Sequence, residues 1–188
     1  MNWFNDYRKS IIIVILLAVF AMEGLVQAAT ITVGPARGNY DFNKIQNAID
    51  AAEDGDEVLV APKEYDIIEP ITFRGKAITV RSEAGPYGTT IQMSEVPEDW
   101  ETDYALVLFN NEEDSRSLLE GFTIKDSFER GITCINSSPR IENCMFISNL
   151  ASGIQCLSAS PIINNIYTTR SSNFEYFSKP NFLNIFCK

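Results

Sequence analysis

The stretch GITCINSSPRIENCMF (residues 131–146) is followed by GIQCLSASPIINNIYT (residues 153–168), and the two match at many positions. The offset is 22 residues: Gly131 corresponds to Gly153, and Ser-Pro recurs at 138–139 and 160–161. A fixed period of roughly 20–25 residues is typical of a solenoid, in which each repeat forms one coil. The repeat therefore predicts a stack of coils.

Short β-prone runs within each period predict strands. Residues 122–124, 132–135 and 141–147 are rich in Ile, Phe and Thr, and Gly, Asn, Ser or Pro separates them. No stretch of the repeat is long enough for a helix of about ten residues. Short strands, each followed by a turn, coil into a parallel β-helix whose equivalent strands lie about 4.8 Å apart. We expect an all-β, right-handed parallel β-helix of about five or six coils.

The repeat also assigns structural roles to two pairs of residues. Asn143 and Asn165 fall at the same turn of successive coils, where asparagine tolerates a left-handed backbone and can bond the amide one coil away. Cys134 and Cys156 are likewise one coil apart and are expected to fill the core as small apolar residues. A disulfide between them is the alternative, because stacking brings the two sulfurs close together.

The N-terminal part of the domain is typical of a solenoid cap. Residues 31–33 predict a strand, and residues 42–53 predict an amphipathic helix with Asp41 as its N-cap and Gly55 as its stop. The apolar face of this helix consists of Phe42, Ile45, Ile49 and Ala52. The open end of a β-helix is a sheet edge that is prone to aggregation, so we expect the helix to cover it.

Residues 1–28 have the organisation of a secretory signal peptide. A basic flank precedes an apolar run at 11–22, which is shorter than the about 20 residues of a membrane span. Val26 and Ala28 then provide small residues at the −3 and −1 positions of a cleavage site. The mature chain is expected to begin near Ala29. An uncleaved anchor over residues 11–28 is the alternative.

These patterns divide the chain into a signal peptide (1–28), a β-helix domain (29–170) and an irregular tail or truncated coil (171–188). Signal cleavage would place the domain in the periplasm, at the cell surface or outside the cell, with no membrane contact. We expect the domain to be a monomer. Because the repeat fades without a polar cap, the chain is also interpreted as a fragment of a longer solenoid.

The composition excludes several classes of function. The 188 residues carry a net charge of −10 and include no histidine. Such an acidic surface repels nucleic acid and anionic lipid. Without histidine there is no Ser-His nucleophile pair, and most zinc sites are excluded.

The start of the domain resembles pectate-lyase-like β-helix proteins. The strand at 31–33, the helix containing Ile45 and Gln46, and Gly55-Asp56 follow the order of strand, capping helix and "GD-x-V" turn in that superfamily. Lys63-Glu64-Tyr65 stands where Gly-x-Tyr is usual. The later Ser-Pro-x-Ile-x-Asn and Gly-Ile-x-Cys segments are similar to the superfamily's β-helix repeat, so the resemblance covers roughly residues 30–170.

The resemblance is closest to pectin methylesterases at the N-terminus, but their downstream catalytic segments are missing. The sequence contains no Gln-Asp-Thr and no Asp-Phe-Ile-Phe-Gly segment. The Asn-Thr-Asp, Asp-Asp and Gly-His-Gly segments of polygalacturonases are absent too. No complete active site is therefore recognisable. The resemblance implies a secreted domain that interacts with polysaccharide. The alternative is a non-catalytic surface or structural repeat protein that acts as a spacer or in adhesion, because fold alone does not determine function.

If the chain is catalytic, the resemblance implies eliminative cleavage of a uronate polymer. Lyases of this fold use an arginine or lysine as base, with Ca²⁺ held by carboxylates. Arg130 would then be the base, and Asp126 and Glu129 would hold Ca²⁺, because all three lie between two predicted strands. The alternative is a solvated turn with one surface ion pair.

Two acidic segments, 94–104 and 110–114, are expected to project from the coils as solvated charge. They lack the Asp-x-Asp-x-Asp-Gly pattern of a calcium-binding loop. Trp100 and Tyr104 lie in the first segment and could stack on a sugar ring through their apolar faces. Alternatively, they fold back onto the side of the solenoid.

Overall fold

A computed structural model describes residues 27–95, 105–169 and 185–187, which form three sheets and one short helix, α1 (Ile45–Ala51). Sheet 1 contains β1 (Thr30–Val33), β2 (Glu57–Val60), β5 (Thr79–Ser82), β8 (Leu118–Glu120), β11 (Arg140–Glu142) and β14 (Ile162–Asn164). Sheet 2 contains β3 (Lys63–Asp66), β6 (Thr89–Gln92), β9 (Thr123–Lys125), β12 (Met145–Ile147) and β15 (Tyr167–Thr169). Sheet 3 contains β4 (Ile71–Thr72), β7 (Ala105–Phe109), β10 (Arg130–Ile135), β13 (Ser152–Leu157) and β16 (Ile185–Cys187).

Each coil passes once through each sheet, and the pairing between coils is parallel. For example, β8, β9 and β10 follow one another in the chain and pair with β11, β12 and β13 of the next coil. The strands are short because residues with positive φ turn the chain between sheets: Asn143 (φ 53) follows β11, and Ser148 (φ 53) follows β12. The predicted parallel β-helix is confirmed.

The predicted period sets the register of the later coils. Cys134 pairs with Cys156, and Ile141 pairs with Ile163, at the offset of 22 residues found in the sequence. The same offset relates Val58 to Val80 in the earlier coils, but the next step is longer, and Val80 pairs with Leu119. The acidic segment 94–104 lies within this longer connection, and all of it except residues 94–95 is outside the described residues.

Apolar side chains at equivalent positions form continuous columns inside the coils. In sheet 1 the column consists of Val58, Val80, Leu119 and Ile141, all with no exposed surface. In sheet 3 Ile71, Val107, Ile132 and Ile154 form a second buried column. Burial of each such side chain stabilises the fold by about 1.5–3 kcal/mol relative to its exposure, so the columns hold the coils in register.

Helix α1 covers the first coil, as predicted. Its residues Ile45, Ala48 and Ile49 are buried, and it packs against β1, β2 and β4. The Gln46 side chain also pairs with Thr72 of the edge strand β4: Oε1 accepts from the Thr72 N–H (2.9 Å), and Nε2 donates to the Thr72 carbonyl (3.1 Å). Gln46 therefore satisfies backbone groups that an open edge would leave to solvent or to another chain.

The predicted helix boundaries were wrong at the N-terminus, because Asp41 does not cap α1. The helix begins at Ile45, and the N-cap position, Lys44, makes no side-chain capping bond. Asp41 instead accepts hydrogen bonds from the backbone N–H (2.8 Å) and hydroxyl (2.7 Å) of Thr32. Phe42 is bridged to Val33, so this segment extends alongside β1 before the helix begins.

Within the described part of the chain, the helix is only seven residues long, and no helix is both long and apolar enough to cross a membrane.

Candidate functional site

The three residues proposed for lyase chemistry belong to one turn, between β9 and β10. Glu129 and Arg130 form an ion pair, with Glu129 Oε2 and Arg130 Nη1 2.9 Å apart. Asp126 is exposed, has a positive φ of 55°, and pairs instead with its neighbour Lys125 at 3.1 Å. The structure therefore brings Glu129 and Arg130 together, while Asp126 has a different charged partner.

The same turn is organised around a buried serine. The Ser127 hydroxyl donates to the Arg130 carbonyl (2.6 Å) and accepts from the Glu129 N–H (3.2 Å). Asn149, in the next coil, accepts from the Ser127 N–H (3.1 Å) and donates to the Ile124 carbonyl (3.0 Å). These bonds explain the conformation of the turn without a metal ion. Across residues 27–95, 105–169 and 185–187, no three carboxylate or thiol side chains are grouped as metal ligands would be.

The two proposed structural pairs lie at matching positions of successive coils. Asn165 Nδ2 donates to Asn143 Oδ1 (3.1 Å), and Asn143 Nδ2 donates to Glu120 Oε1 (2.8 Å). Cys134 and Cys156 are fully buried neighbours in sheet 3, and Cys187 is the next residue in that register.

Trp100 and Tyr104, the proposed sugar-stacking residues, lie outside the described residues.

Two buried side chains from the sequence patterns, Cys144 and Tyr65, remain protonated at neutral pH. Burial raises the pKa of the Cys144 thiol to about 12, and its Sγ donates to the Glu142 carbonyl (3.3 Å). Burial also raises the pKa of Tyr65 to about 12, with a smaller effect of Tyr40. The Tyr65 hydroxyl donates to the carbonyl of Ala61 (3.0 Å). A protonated buried thiol is a poor nucleophile, so Cys144 is a core residue.

The acidic segment 110–114 is exposed except at Glu113, which is only 2% exposed. Its Oε1 accepts from the Gly75 N–H (3.0 Å), and its Oε2 accepts from the Asn111 N–H (2.9 Å) and the Ser137 hydroxyl (2.9 Å). These donors come from three successive coils. The prediction of an acidic projecting loop was therefore wrong for Glu113, because fixed hydrogen-bond donors replace the water that a buried carboxylate loses.

A groove of about 440 Å³ runs along the corner between sheets 1 and 2, and we call it the corner groove. Two exposed tyrosines, Tyr87 (81% exposed) and Tyr167 (55% exposed), line it. Its other lining residues are Arg81, Ser82, Gly85, Pro86, Glu120, Gly121 and Asn143.

A tight turn holds Tyr87 at the rim of the corner groove. Ser82 closes the base of this turn through its hydroxyl, which lies 2.6 Å from Thr89 Oγ1 and 3.2 Å from the Gly85 carbonyl. Thr123, one coil further on, donates its hydroxyl to the Pro86 carbonyl (2.7 Å). The turn is therefore fixed at both ends, and Tyr87 projects from a rigid base.

The floor of the corner groove follows from the repeat. Gly121, Asn143 and Asn165 occupy the same corner in three coils, and all have positive φ. Where its neighbours carry amides, Gly121 has no side chain, and a Cβ there would lie 3.4 Å from Gly85 Cα and Ser82 Cβ. The glycine thus allows the turn that carries Tyr87 to pack closely against this corner.

Charges in the corner groove are compensated. Arg81 pairs with Glu57, a contact that raises the pKa of Arg81, with smaller effects of Glu120 and Glu83. Glu120 is the register neighbour of Arg81 and accepts from Asn143. The groove therefore offers a guanidinium, a carboxylate, an amide and two phenol rings with little net local charge.

Two carboxylates, Glu120 and Glu142, lie in successive coils at this corner. Glu142 is the register neighbour of Glu120 one coil further on, and the hydrogen bond from Arg140 lowers its pKa, so it stays ionised. Glycosidase chemistry pairs an ionised carboxylate with a carboxyl group whose pKa is raised, and Glu142 does not have the raised pKa.

A second, more open concavity of about 510 Å³ contains Asp126, together with Lys125, Glu64 and the exposed Leu150. Glu129 and Arg130 are not part of its lining. It therefore does not unite the three residues proposed for lyase chemistry.

Sequence reasoning missed the corner groove because its two tyrosines are far apart in the chain. Tyr87 lies in a Gly-Pro-Tyr-Gly turn, and an aromatic residue at the tip of such a turn is a usable indication of exposure. Tyr167 is exposed because it opens β15 on the outer side of the last described coil of sheet 2.

The chain matches no protein-family model, no curated protein and no solved structure. What the structure shows is the fold, a parallel β-solenoid; the likeness to pectate-lyase-like proteins rests on the sequence motifs.

Proposed function

We propose that this domain is a secreted, non-catalytic polysaccharide-binding module and that the corner groove holds the sugar chain. The observation that carries the proposal is the pair of exposed tyrosines, Tyr87 and Tyr167, lining one groove with hydrogen-bonding side chains between them. Aromatic rings stack on the apolar faces of sugars, while amide, carboxylate and guanidinium groups bond hydroxyls.

The dimensions of the corner groove favour a chain over a single sugar. Tyr87 precedes β6, and Tyr167 belongs to β15, which is three strands further along sheet 2. At about 4.8 Å per strand, the separation of the two levels is about 14 Å, the scale of an oligosaccharide. A groove crossing several coils would contact successive units of one polymer.

The charge balance favours a neutral polysaccharide. Arg81 is paired with Glu57 and lies beside Glu120, so no uncompensated cation in the described groove attracts a uronate. The net charge of −10 also repels polyanions at long range. A uronate ligand would need a bridging cation such as Ca²⁺.

The test is co-sedimentation of the purified protein with insoluble or gelled polysaccharides, neutral and acidic, with and without Ca²⁺. We expect retention on a neutral polymer that does not depend on Ca²⁺, and at least a tenfold loss of affinity in Tyr87→Ala and Tyr167→Ala. Tyr40→Ala removes an exposed tyrosine outside the groove and is the matched control. Leu150→Ala tests the second concavity in the same way.

Calcium-dependent retention on a polyuronate, lost in Asp126→Ala, would move the binding site to the second concavity. Absence of retention on every polymer by a folded sample would reject the binding proposal and leave the role of a spacer or adhesion element.

A further inference from the structure

A buried carboxylate meets the backbone at the point where the folded domain begins. Asp56 is only 6% exposed, and its Oδ1 accepts a hydrogen bond from the Ala29 N–H (2.8 Å). Its Oδ2 accepts from the Glu53 N–H (2.8 Å). The Ala29 carbonyl in turn accepts from the Glu57 N–H (2.8 Å). Ala29 is therefore the first residue held to sheet 1.

The peptide bond that precedes Ala29 is the predicted cleavage site. Gln27 and Ala28 are exposed and precede β1, and Val26 and Ala28 are the small residues that a signal peptidase requires before the scissile bond. Hydrolysis of the Ala28–Ala29 bond would leave the ladder that begins at Ala29 intact.

We propose that cleavage between Ala28 and Ala29 creates an α-ammonium group at Ala29 that forms an ion pair with the buried carboxylate of Asp56. In this step a signal-peptidase-type endopeptidase uses one water molecule to break the amide bond. The departing segment keeps the Ala28 carboxylate, and the Ala29 nitrogen takes up protons to become the ammonium. A neutral N–H donor on Asp56 is thereby replaced by a charged one, which makes a stronger hydrogen bond.

The surroundings of Asp56 suit a cation. The Glu53 N–H and the Ala29 N–H, in that order, lower the pKa of Asp56, and the charge of Lys76 adds to this, so the group is ionised. Glu53 and Asp54 in the same loop add negative charge nearby, Glu57 in β2 is paired with Arg81, and Lys76 is the facing cation. The ammonium would reduce this local excess of negative charge.

The pH dependence of the ion pair has a defined sign. A free α-amino group has a pKa of about 7.7–8.0, and pairing with Asp56 raises it in the folded state. The stabilisation is therefore fully present below the unfolded pKa and is lost as the pH rises through the higher folded pKa.

The first experiment exports the full chain from a secreting host and reads the N-terminus of the product by mass spectrometry. We expect the N-terminal residue to be Ala29.

The second experiment measures the pKa of the α-amino group by NMR after ¹³C reductive methylation, in the wild type and in Asp56→Asn. We expect the pKa to fall by about one unit in Asp56→Asn, a tenfold change in proton affinity. Glu53→Gln, which removes a nearby exposed carboxylate, should leave it nearly unchanged.

A glycine inserted between residues 28 and 29 keeps Val26, Ala28 and Asp56 but moves the new ammonium one residue away. We expect this variant to have a normal α-amino pKa and a lower thermal midpoint than the wild type at pH 7, and we expect the gap in midpoint to close above about pH 10. An N-terminus at another residue, or equal α-amino pKa values in the wild type and the insertion variant, would overturn the proposal. The insertion variant keeps the test valid if Asp56→Asn does not fold.

Discussion

Asn165 donates its side-chain amide to the side-chain carbonyl of Asn143, one coil away, across 3.1 Å. The Asn143 side-chain amide in turn donates to the Glu120 carboxylate of the preceding coil. Both asparagines hold a left-handed backbone at their corner, with φ of 51° and 53°. One side chain therefore serves both the turn and the contact between coils.

Asn143→Ala should destabilise the domain by about 2–4 kcal/mol, because it removes two hydrogen bonds and puts an alanine at positive φ. Asn143→Gly removes the bonds but keeps the backbone relaxed, so it should cost about half as much. Urea unfolding measures both variants. Equal losses in the two would mean that backbone conformation contributes nothing at this corner.

Glu113→Ala should be more damaging, by about 3–5 kcal/mol, because three donors from three coils lose their acceptor in a buried place. The matched control is Asp114→Ala, which removes the neighbouring carboxylate from an exposed ion pair with Arg116. Its effect should be small. The two free energies of unfolding can be compared by chemical denaturation, and similar values would contradict the role assigned to Glu113.

Lys76→Met should loosen the capping helix. The Lys76 ammonium donates to the carbonyls of Ile49 (2.8 Å), Asp50 (2.9 Å) and Ala52 (2.8 Å) at the C-terminal end of α1. A cation there satisfies terminal carbonyls and opposes the helix dipole, so we expect a loss of about 1–2 kcal/mol. Hydrogen exchange should report faster opening of α1 than in Arg74→Met, which breaks only an exposed pair with Asp50. Equal exchange rates would argue against capping by Lys76.

Acid should destabilise the domain below about pH 4. Hydrogen bonds lower the pKa of five carboxyl groups: Asp41, Asp56, Asp66, Asp114 and Glu142. Groups of this kind stabilise the fold above their unfolded pKa, and the contribution is lost as the pH falls through the lower folded pKa. Thermal midpoints should be nearly constant from about pH 5 to 7 and fall below pH 4, with a shallower fall in Glu142→Gln.

Gly121→Asn tests the floor of the corner groove. Asparagine already occupies the equivalent corner at Asn143 and Asn165 and tolerates the positive φ of Gly121 (78°), so the fold should persist. The new side chain would contact the base of the turn that carries Tyr87 and narrow the corner groove, and we expect at least a tenfold weaker retention on the polysaccharide ligand. Undiminished retention by a folded variant would exclude this floor from the binding site.

Much of the fold could be predicted from the sequence because equivalent positions of successive coils carry the same residue types. The 22-residue offset placed Cys134 beside Cys156 and Asn143 beside Asn165, since equivalent positions have the same burial and the same backbone conformation in each coil. Asp41 was misassigned as a helix cap because local spacing does not reveal a competing donor such as Thr32 on a paired strand.

The site was less predictable because it depends on contacts between coils. From the sequence alone Glu113 is expected to be a surface charge, because its donors at Gly75 and Ser137 come close to it only when the coils stack. The corner groove joins Tyr87 to Tyr167 across a connection that breaks the regular period, so no local pattern relates the two tyrosines.

The pairing of Gln46 with Thr72 has a consequence for self-assembly. Because one glutamine side chain occupies both backbone groups of an edge residue, that strand cannot act as a template for a strand from another molecule. The first strand of sheet 3 is thus closed at Thr72. A second molecule could not add its own strand to this edge, so head-to-tail joining of molecules through sheet 3 would stop at the helix.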